Sequence, residues 1–124
     1  MSNLNSAFAT DPWLPLCDAK GQLLPMAVGW STRPHIQCSM PGNLGRRKRW
    51  NHWCVTTPDW MLSLTVADLD YLGYGAAYFL DLRTGHAVAH TQLRPFARGC
   101  TLPDTPLQGH IFQNQRLQIR VDDH

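Results

Sequence analysis

Alternating large apolar and smaller residues mark the middle of the chain. Between Trp60 and Asp68 every second residue is large and apolar, whereas the intervening residues are smaller or more polar. Successive side chains of a strand point to opposite faces, so a period of two is typical of a half-buried β-strand. The large set is Trp60, Leu62, Leu64 and Val66, and the other set is Met61, Ser63, Thr65 and Ala67. This segment is predicted to be a strand with one face against a core.

Neighbouring segments extend this strand into an antiparallel β-meander from about Arg49 to Leu93. Pro58-Asp59 predicts one turn, and the glycine of Leu82–Gly85 predicts another that is closed by a glycine bulge. The strands predicted on this basis are Arg49–Thr56, Trp60–Asp68, Tyr71–Leu82 and His86–Leu93. The fold class is therefore all-β, an antiparallel meander of four to six strands in total.

The rest of the chain is less regular. We predict a loose arm over residues 1–12, a hairpin and irregular connection over 13–44, the core meander over 45–93, and a loop with a last strand over 94–124. The hairpin turns at Asp18–Gly21, the stretch Pro95–Gly109 is predicted to be irregular, and the last strand is Gln115–Val121. The chain is interpreted as a single domain or as the N-terminal fragment of a larger β domain. A fragment would leave a sheet edge open to self-association.

Charge and cysteine content exclude several classes of protein. A net charge of +2 gives no basis for nucleic-acid binding, and no apolar run is long enough for a membrane span. The four cysteines form no C-x-x-C pair, and the N-terminus lacks the pattern of a signal peptide. A cytoplasmic location with reduced thiols is predicted.

Two arginines and two aspartates are predicted to meet across the first hairpin. Folding about Pro58-Asp59 places Arg49 opposite Asp68, and Arg47 opposite Asp70, within about a residue. One reading is a functional charged pair at the mouth of a cleft, with Arg49 and Asp68 as ligand anchors. The other, which we favour, is an ordinary cross-strand ion pair that fixes register.

Aromatic residues are the second group of candidates. Trp50 and Trp53 differ by three positions and should point to opposite faces of a regular strand. Aromatic walls with a few polar groups suit a pocket for a hydrophobic ligand, although tryptophan also fills ordinary cores. The residues proposed as walls are Trp50, Trp53, Trp60, Tyr74 and Tyr78.

Metal binding and catalysis receive little support from the sequence. His52 and Cys54 lie roughly 7 Å apart on one strand face, but two ligands do not make a zinc site. His86 and His90 are about 13 Å apart on a strand and cannot share an ion. No metal site and no cofactor is predicted. Asp68 and Asp70 are weak candidates for a general acid.

An ordered string of residues in the meander resembles a known family. The string runs through Gly45–Thr56, Ser63–Tyr71 and Tyr78–Leu82. It resembles the N-terminal part of a bacterial family, the domain of unknown function 2804, over about Leu14 to Leu93. That family looks similar to lipocalin-type (calycin-like) β-barrels, which include hydroxyneurosporene-dehydrogenase-like hydratases. The resemblance implies the first half of a larger lipocalin-like barrel or sandwich, and it supplies no catalytic residues.

Three hypotheses for function follow. The first is a module that binds a hydrophobic or amphipathic small molecule in an aromatic-lined β pocket. The second is a lyase or hydratase that acts on a lipid-like substrate through Asp68 or Asp70. The third is a truncated, non-functional fragment.

Overall fold

The computed structural model describes residues 13–41, 45–105 and 109–122 of the chain. These residues fall into two compact units, a smaller one of 13–41 with 104–105 and a larger one of 45–103 with 109–122. The predicted loose arm, residues 1–12, lies outside the described residues.

Among the described residues, nine strands account for nearly all of the regular structure. In chain order they are β1 (Leu14–Pro15), β2 (Ile36–Gln37), β3 (Arg49–Thr56), β4 (Trp60–Asp68), β5 (Leu72–Asp81), β6 (Ala87–Pro95), β7 (Cys100–Thr101), β8 (His110–Gln113) and β9 (Gln118–Val121). The predicted all-β fold class is confirmed. Its sheets are antiparallel apart from the short β1–β2 pair, and none of the sheets among the described residues closes into a barrel.

The predicted meander is the four-stranded sheet β3-β4-β5-β6. At its first turn the backbone N–H of Thr57 donates to the carbonyl of Trp60 at 2.8 Å, and the Thr57 hydroxyl accepts from the N–H of Trp60 at 3.1 Å. At its last turn Gly85 has a φ of 74°, the left-handed conformation that the predicted bulge requires. Both turns therefore form where the sequence placed them.

A second sheet, β7-β8-β9, packs on one face of the meander. Val66 of β4 contacts Phe112 of β8 and Ile119 of β9, and these three buried side chains form the core. Gly75 lies opposite Val66 in the register of β4 and β5, on the same face. A Cβ atom at Gly75 would overlap the ring of Phe112, so the glycine permits the close approach of the second sheet.

Two of these strands correct the sequence analysis. β7 lies inside the stretch Pro95–Gly109, which was predicted to be irregular, and β8 was not predicted at all. Both are too short to show a clear alternation, and both form by pairing with neighbours that the local pattern does not reveal. The last strand begins at Gln118 rather than Gln115, because the Asn114 side chain accepts hydrogen bonds from the backbone N–H groups of Arg116 and Leu117 and forms a turn there.

The smaller unit contains the predicted hairpin. The N–H of Asp18 donates to the carbonyl of Gln22 at 2.9 Å, and Gly21 has a φ of 77°. β1 of this hairpin also pairs in parallel with β2. β2 corrects the prediction that the connection after the hairpin is irregular. Within the described residues the only helical element is the three-residue 3-10 turn Pro25–Ala27, so no helix there could cross a membrane.

Candidate functional site

The charged residues predicted to meet do so at the end of the first hairpin. Arg49 pairs with Asp68 in the register of β3 and β4, and their side-chain N and O atoms lie 3.8 Å apart. Arg47 donates to Asp70 at 2.7 Å and also lies 3.9 Å from Asp68. The predicted pairing is confirmed, and these four side chains form one charged cluster.

Asp70 lies at the centre of this cluster in a strained turn. Its φ is 66°, a left-handed conformation that aspartate tolerates better than most residues. Its side chain is only 4% exposed and accepts hydrogen bonds from Arg47 and from the backbone N–H of Gly45 at 3.0 Å. The carboxylate of Asp68 accepts from the N–H of Asp70 at 2.8 Å. Both carboxylates therefore hold the loop between β4 and β5.

Cys100 is close to the charged cluster. Its thiol lies 3.6 Å from the carbonyl of Ala67, and a Cβ atom at Gly73 would come within 2.6 Å of its sulfur. Burial, together with the charge of Asp68, raises the pKa of the Cys100 thiol. A thiol with a raised pKa is a poor nucleophile, so Cys100 fits a packing role.

A buried histidine lies between the two sheets. His110 of β8 is 1% exposed, and its Nδ1 atom lies 3.2 Å from the side-chain amide of Asn51 on β3. Its Nε2 atom is buried and has no hydrogen-bond partner among the described residues. Desolvation lowers the pKa of His110 from its usual value. No local pattern indicates this pair, because residues 59 positions apart come together only through sheet packing.

The five predicted aromatic wall residues divide between the two faces of the meander. Trp60 lies six residues from Val66 on β4, and Trp53 lies two residues from Asn51, the partner of Val66 on β3. Residues an even number of positions apart on a strand share a face, so both tryptophans lie on the face that carries Val66. Trp50, Tyr74 and Tyr78 lie on the opposite face by the same rule. The prediction that Trp50 and Trp53 point to opposite faces is therefore confirmed, and the five residues do not line one surface.

Phe79 completes a smaller group, which we call the aromatic patch: Trp53, Trp60 and Phe79. The rings of Trp60 and Phe79 stack with centroids 6.2 Å apart and planes inclined at 29°. Trp53 is 37% exposed and Phe79 is 39% exposed, so the patch lies beyond the part of this face that the second sheet covers. Phe79 was not among the predicted wall residues, although it lies four residues after Gly75 on the same strand and therefore points to the same face.

The aromatic patch ends at a group of charged side chains on the two adjoining turns. Arg83 lies 3.8 Å from Asp59 and 3.9 Å from Asp81, and Asp81 is directly opposite Trp60 in the sheet. The backbone N–H of Arg83 donates to Asp81 and holds the pKa of that carboxyl below its usual range. This group contains two acidic side chains and one basic one.

Arg49 and Asp68 are not neighbours of the aromatic patch. The strand register places them at the other end of β3 and β4 from the Thr56–Met61 pair, which closes the hairpin beside Trp60. The charged cluster and the aromatic patch are therefore separate features, which the sequence analysis combined in one site.

The histidine and cysteine candidates form no metal site. No group of three or more potential ligands occurs in the described parts of the chain. The Nδ1 atom of His52 lies 2.8 Å from the hydroxyl of Thr65, its cross-strand neighbour, which occupies that ring nitrogen.

Fold and site together define an all-β protein built on an antiparallel meander. The second sheet covers part of one face of this meander, and the aromatic patch lies on the rest of the same face. The family model of the domain of unknown function DUF2804 matches residues 9–124, and the chain belongs to that family. The resemblance found in the sequence is thereby confirmed at the level of the family. No curated protein and no solved structure matches the chain significantly.

Proposed function

We propose that the protein binds a hydrophobic or amphipathic small molecule against the aromatic patch. The supporting observation is that three large aromatic side chains share one sheet face: Trp53 and Phe79 are exposed, and Phe79 stacks on the partly buried Trp60. Stacked rings present a rigid apolar surface that loses little conformational entropy on binding. A few polar groups beside such a surface provide orientation.

The charges beside the patch indicate the kind of head group. Asp59 and Asp81 exceed Arg83 by one negative charge, and the lowered pKa of Asp81 extends the ionised form of that carboxyl further into the acidic range. A carboxylate head group would meet net repulsion there, whereas a neutral or cationic one would not. We therefore expect affinity to fall in the order alkylamine, isoprenoid alcohol, fatty acid.

Tryptophan fluorescence tests this proposal. Dodecylamine, farnesol and oleate, each below its critical micelle concentration, are titrated into the 124-residue chain. We expect saturable changes in emission, strongest for dodecylamine. Trp60→Phe should remove most of the change, while Trp50→Phe, on the opposite face, should leave it intact. No change with any of the three ligands in a folded sample would refute the proposal.

Neighbouring residues on β5 provide a matched control for the location of the site. Phe79 and Tyr78 are adjacent in sequence and lie on opposite faces of the sheet. Phe79→Ala should raise the dissociation constant about tenfold, since loss of a stacked ring costs on the order of 1–2 kcal/mol. Tyr78→Ala should leave it nearly unchanged, and the reverse result would place binding on the other face.

No specific contact favours the enzyme hypothesis. The carboxylate of Asp68 accepts a hydrogen bond from the N–H of Asp70, and that of Asp70 accepts one from the N–H of Gly45. Both carboxylates also form ion pairs with the arginines of the charged cluster. Catalysis by these aspartates, a lipocalin-like barrel and a truncated chain stay predictions. A cytoplasmic location is also our proposal, supported by the four free thiols of Cys17, Cys38, Cys54 and Cys100.

A further inference from the structure

The outer edge of β6 is an unpaired backbone edge among the described residues of the larger unit. β6 pairs with β5 alone among the described residues, and its residues from Ala87 to Thr91 are all exposed. No charged side chain occurs between Ala87 and Leu93. Edge strands of soluble proteins are commonly protected by lysine, proline or a covering element, and this stretch has none of them in the described structure.

Hydrogen bonding across β5 and β6 fixes which backbone groups of β6 face outward. The N–H of Asp81 donates to His86 at 2.8 Å, and the N–H of Phe96 donates to Tyr71 at 2.9 Å. Both pairs continue the β5–β6 register, so even-numbered residues of β6 bond to β5. The outward N–H and C=O groups consequently belong to the odd-numbered residues Ala87, Ala89, Thr91 and Leu93.

This edge is complementary to itself. In an antiparallel pairing centred on His90, Ala87 would face Leu93 of a second copy and Ala89 would face Thr91 of that copy. All four outward residues then pair in both directions, giving about eight hydrogen bonds. Moving the centre to Ala89 leaves Leu93 unpaired, and moving it to Thr91 brings in Pro95, which has no N–H to donate.

The opposite edge of the sheet is less suited to this contact. β3 begins at the end of the basic run Arg46–Arg49, and its outward backbone groups, by the same alternation, include those of Trp50. Trp50 is bulky and 68% exposed beside this edge. Basic residues are among the devices that keep edge strands from pairing. The side chains at the β6 edge are small by comparison.

We propose that a second copy of this chain pairs with β6 in an antiparallel, two-fold arrangement centred on His90. The four strands of each copy then form one continuous sheet. The two-fold symmetry uses the same edge on both copies, so the contact closes on itself and does not propagate into fibres. Strand pairing of this size lies at the weak end of protein interfaces, which gives a concentration-dependent monomer–dimer equilibrium.

Sedimentation velocity with edge variants tests the dimer. The wild-type chain should shift from monomer to dimer as concentration rises. Thr91→Pro should raise the dimer dissociation constant about tenfold or more, because it removes an outward donor on each copy and crowds the partner strand. The same change costs no β5–β6 hydrogen bond, so circular dichroism should show an intact fold. Thr91→Val keeps the donor and should dimerise like wild type.

Ala89→Lys is a second edge variant that retains every backbone donor. A lysine on each copy beside the paired edge should also weaken the dimer. A wild-type chain that stays monomeric at the highest concentration overturns the proposal. Association that Thr91→Pro and Ala89→Lys leave unchanged in folded samples also overturns it, since the contact would then lie elsewhere.

Disulfide trapping tests the centre of the pairing. In this register His90 lies opposite His90 of the second copy in a non-hydrogen-bonded pair. The two Cα atoms are then about 4.5 Å apart, within the range for a disulfide. In a chain with Cys38→Ser and Cys54→Ser, which removes the exposed thiols, His90→Cys should give a covalent dimer on oxidation. Val88→Cys should not, because the two introduced thiols would lie about 13 Å apart. Equal cross-linking of both variants would refute the register.

Discussion

At the scale of single residues, His110 makes the stability of the protein dependent on pH. Burial lowers its pKa in the folded state from the usual 6.5, so below that value the unfolded chain binds a proton that the folded chain resists. The stability is complete above about pH 6.5 and falls as the pH decreases toward the folded pKa. We expect the free energy of unfolding, measured by urea denaturation, to decrease from pH 7.5 to pH 5, with a slope of up to about one proton from this residue.

His110→Gln should remove that part of the slope while keeping a side chain that can hydrogen-bond Asn51. His52→Gln is the matched control, because His52 is exposed on β3. An unchanged slope in His110→Gln would show that other groups cause the acid sensitivity.

Contacts across one hairpin can be predicted from the sequence, whereas contacts between the two sheets cannot. Arg49 and Asp68 were predicted to meet because a single tight turn connects their strands, and the register confirms it. His110 and Asn51 are separated by most of the larger unit, and no local pattern links them. Their contact depends on how the sheets pack, which the local sequence pattern does not reveal.

At the scale of elements, the long alternating strands of the meander were predicted, whereas the short strands β7 and β8 were not. β4 carries nine residues, enough to show its period, whereas β7 has two and β8 has four. Two glycines of β5 permit the close approach of the second sheet: Gly75 faces Phe112 of β8, and Gly73 faces Cys100 of β7. The same periodicity separated Trp50 from Trp53, but it could not show which face the second sheet would cover.

The packing of β8 on β5 gives a prediction for Gly75. Gly75→Ala places a methyl group into the ring of Phe112, so the second sheet must shift, at a cost of roughly 1–3 kcal/mol. Phe112→Leu added to this variant should recover part of the loss, since adjacent residues couple. Gly29→Ala is the control, because its Cβ meets no atom within 4 Å. Urea unfolding of the wild type, of Gly75→Ala, of Phe112→Leu and of the double variant measures the coupling. If the effects of the two single changes simply add in the double variant, the contact is contradicted.

At the scale of the whole molecule, the two units differ in how their structure is supported. All four buried apolar residues found in the described parts of the chain belong to the larger unit: Val66, Ala67, Phe112 and Ile119. In the smaller unit each strand, β1 and β2, has two residues, and backbone hydrogen bonds provide most of the regular contacts. Since burial of apolar surface is the main source of stability, the units should open at different free energies.

Amide hydrogen exchange tests this difference residue by residue. The amides of Leu14 and Leu16, which donate to His35 and Gln37, should exchange at least about a hundredfold faster than those in the centre of β4. Central β4 amides are hydrogen-bonded within a sheet whose core residue, Val66, is fully buried, so they should exchange only through global unfolding. Gly75→Ala should then lower protection in β4 and leave Leu14 unchanged, because its effect is on the larger core. Equal protection of both units would show instead that the chain unfolds as one cooperative body.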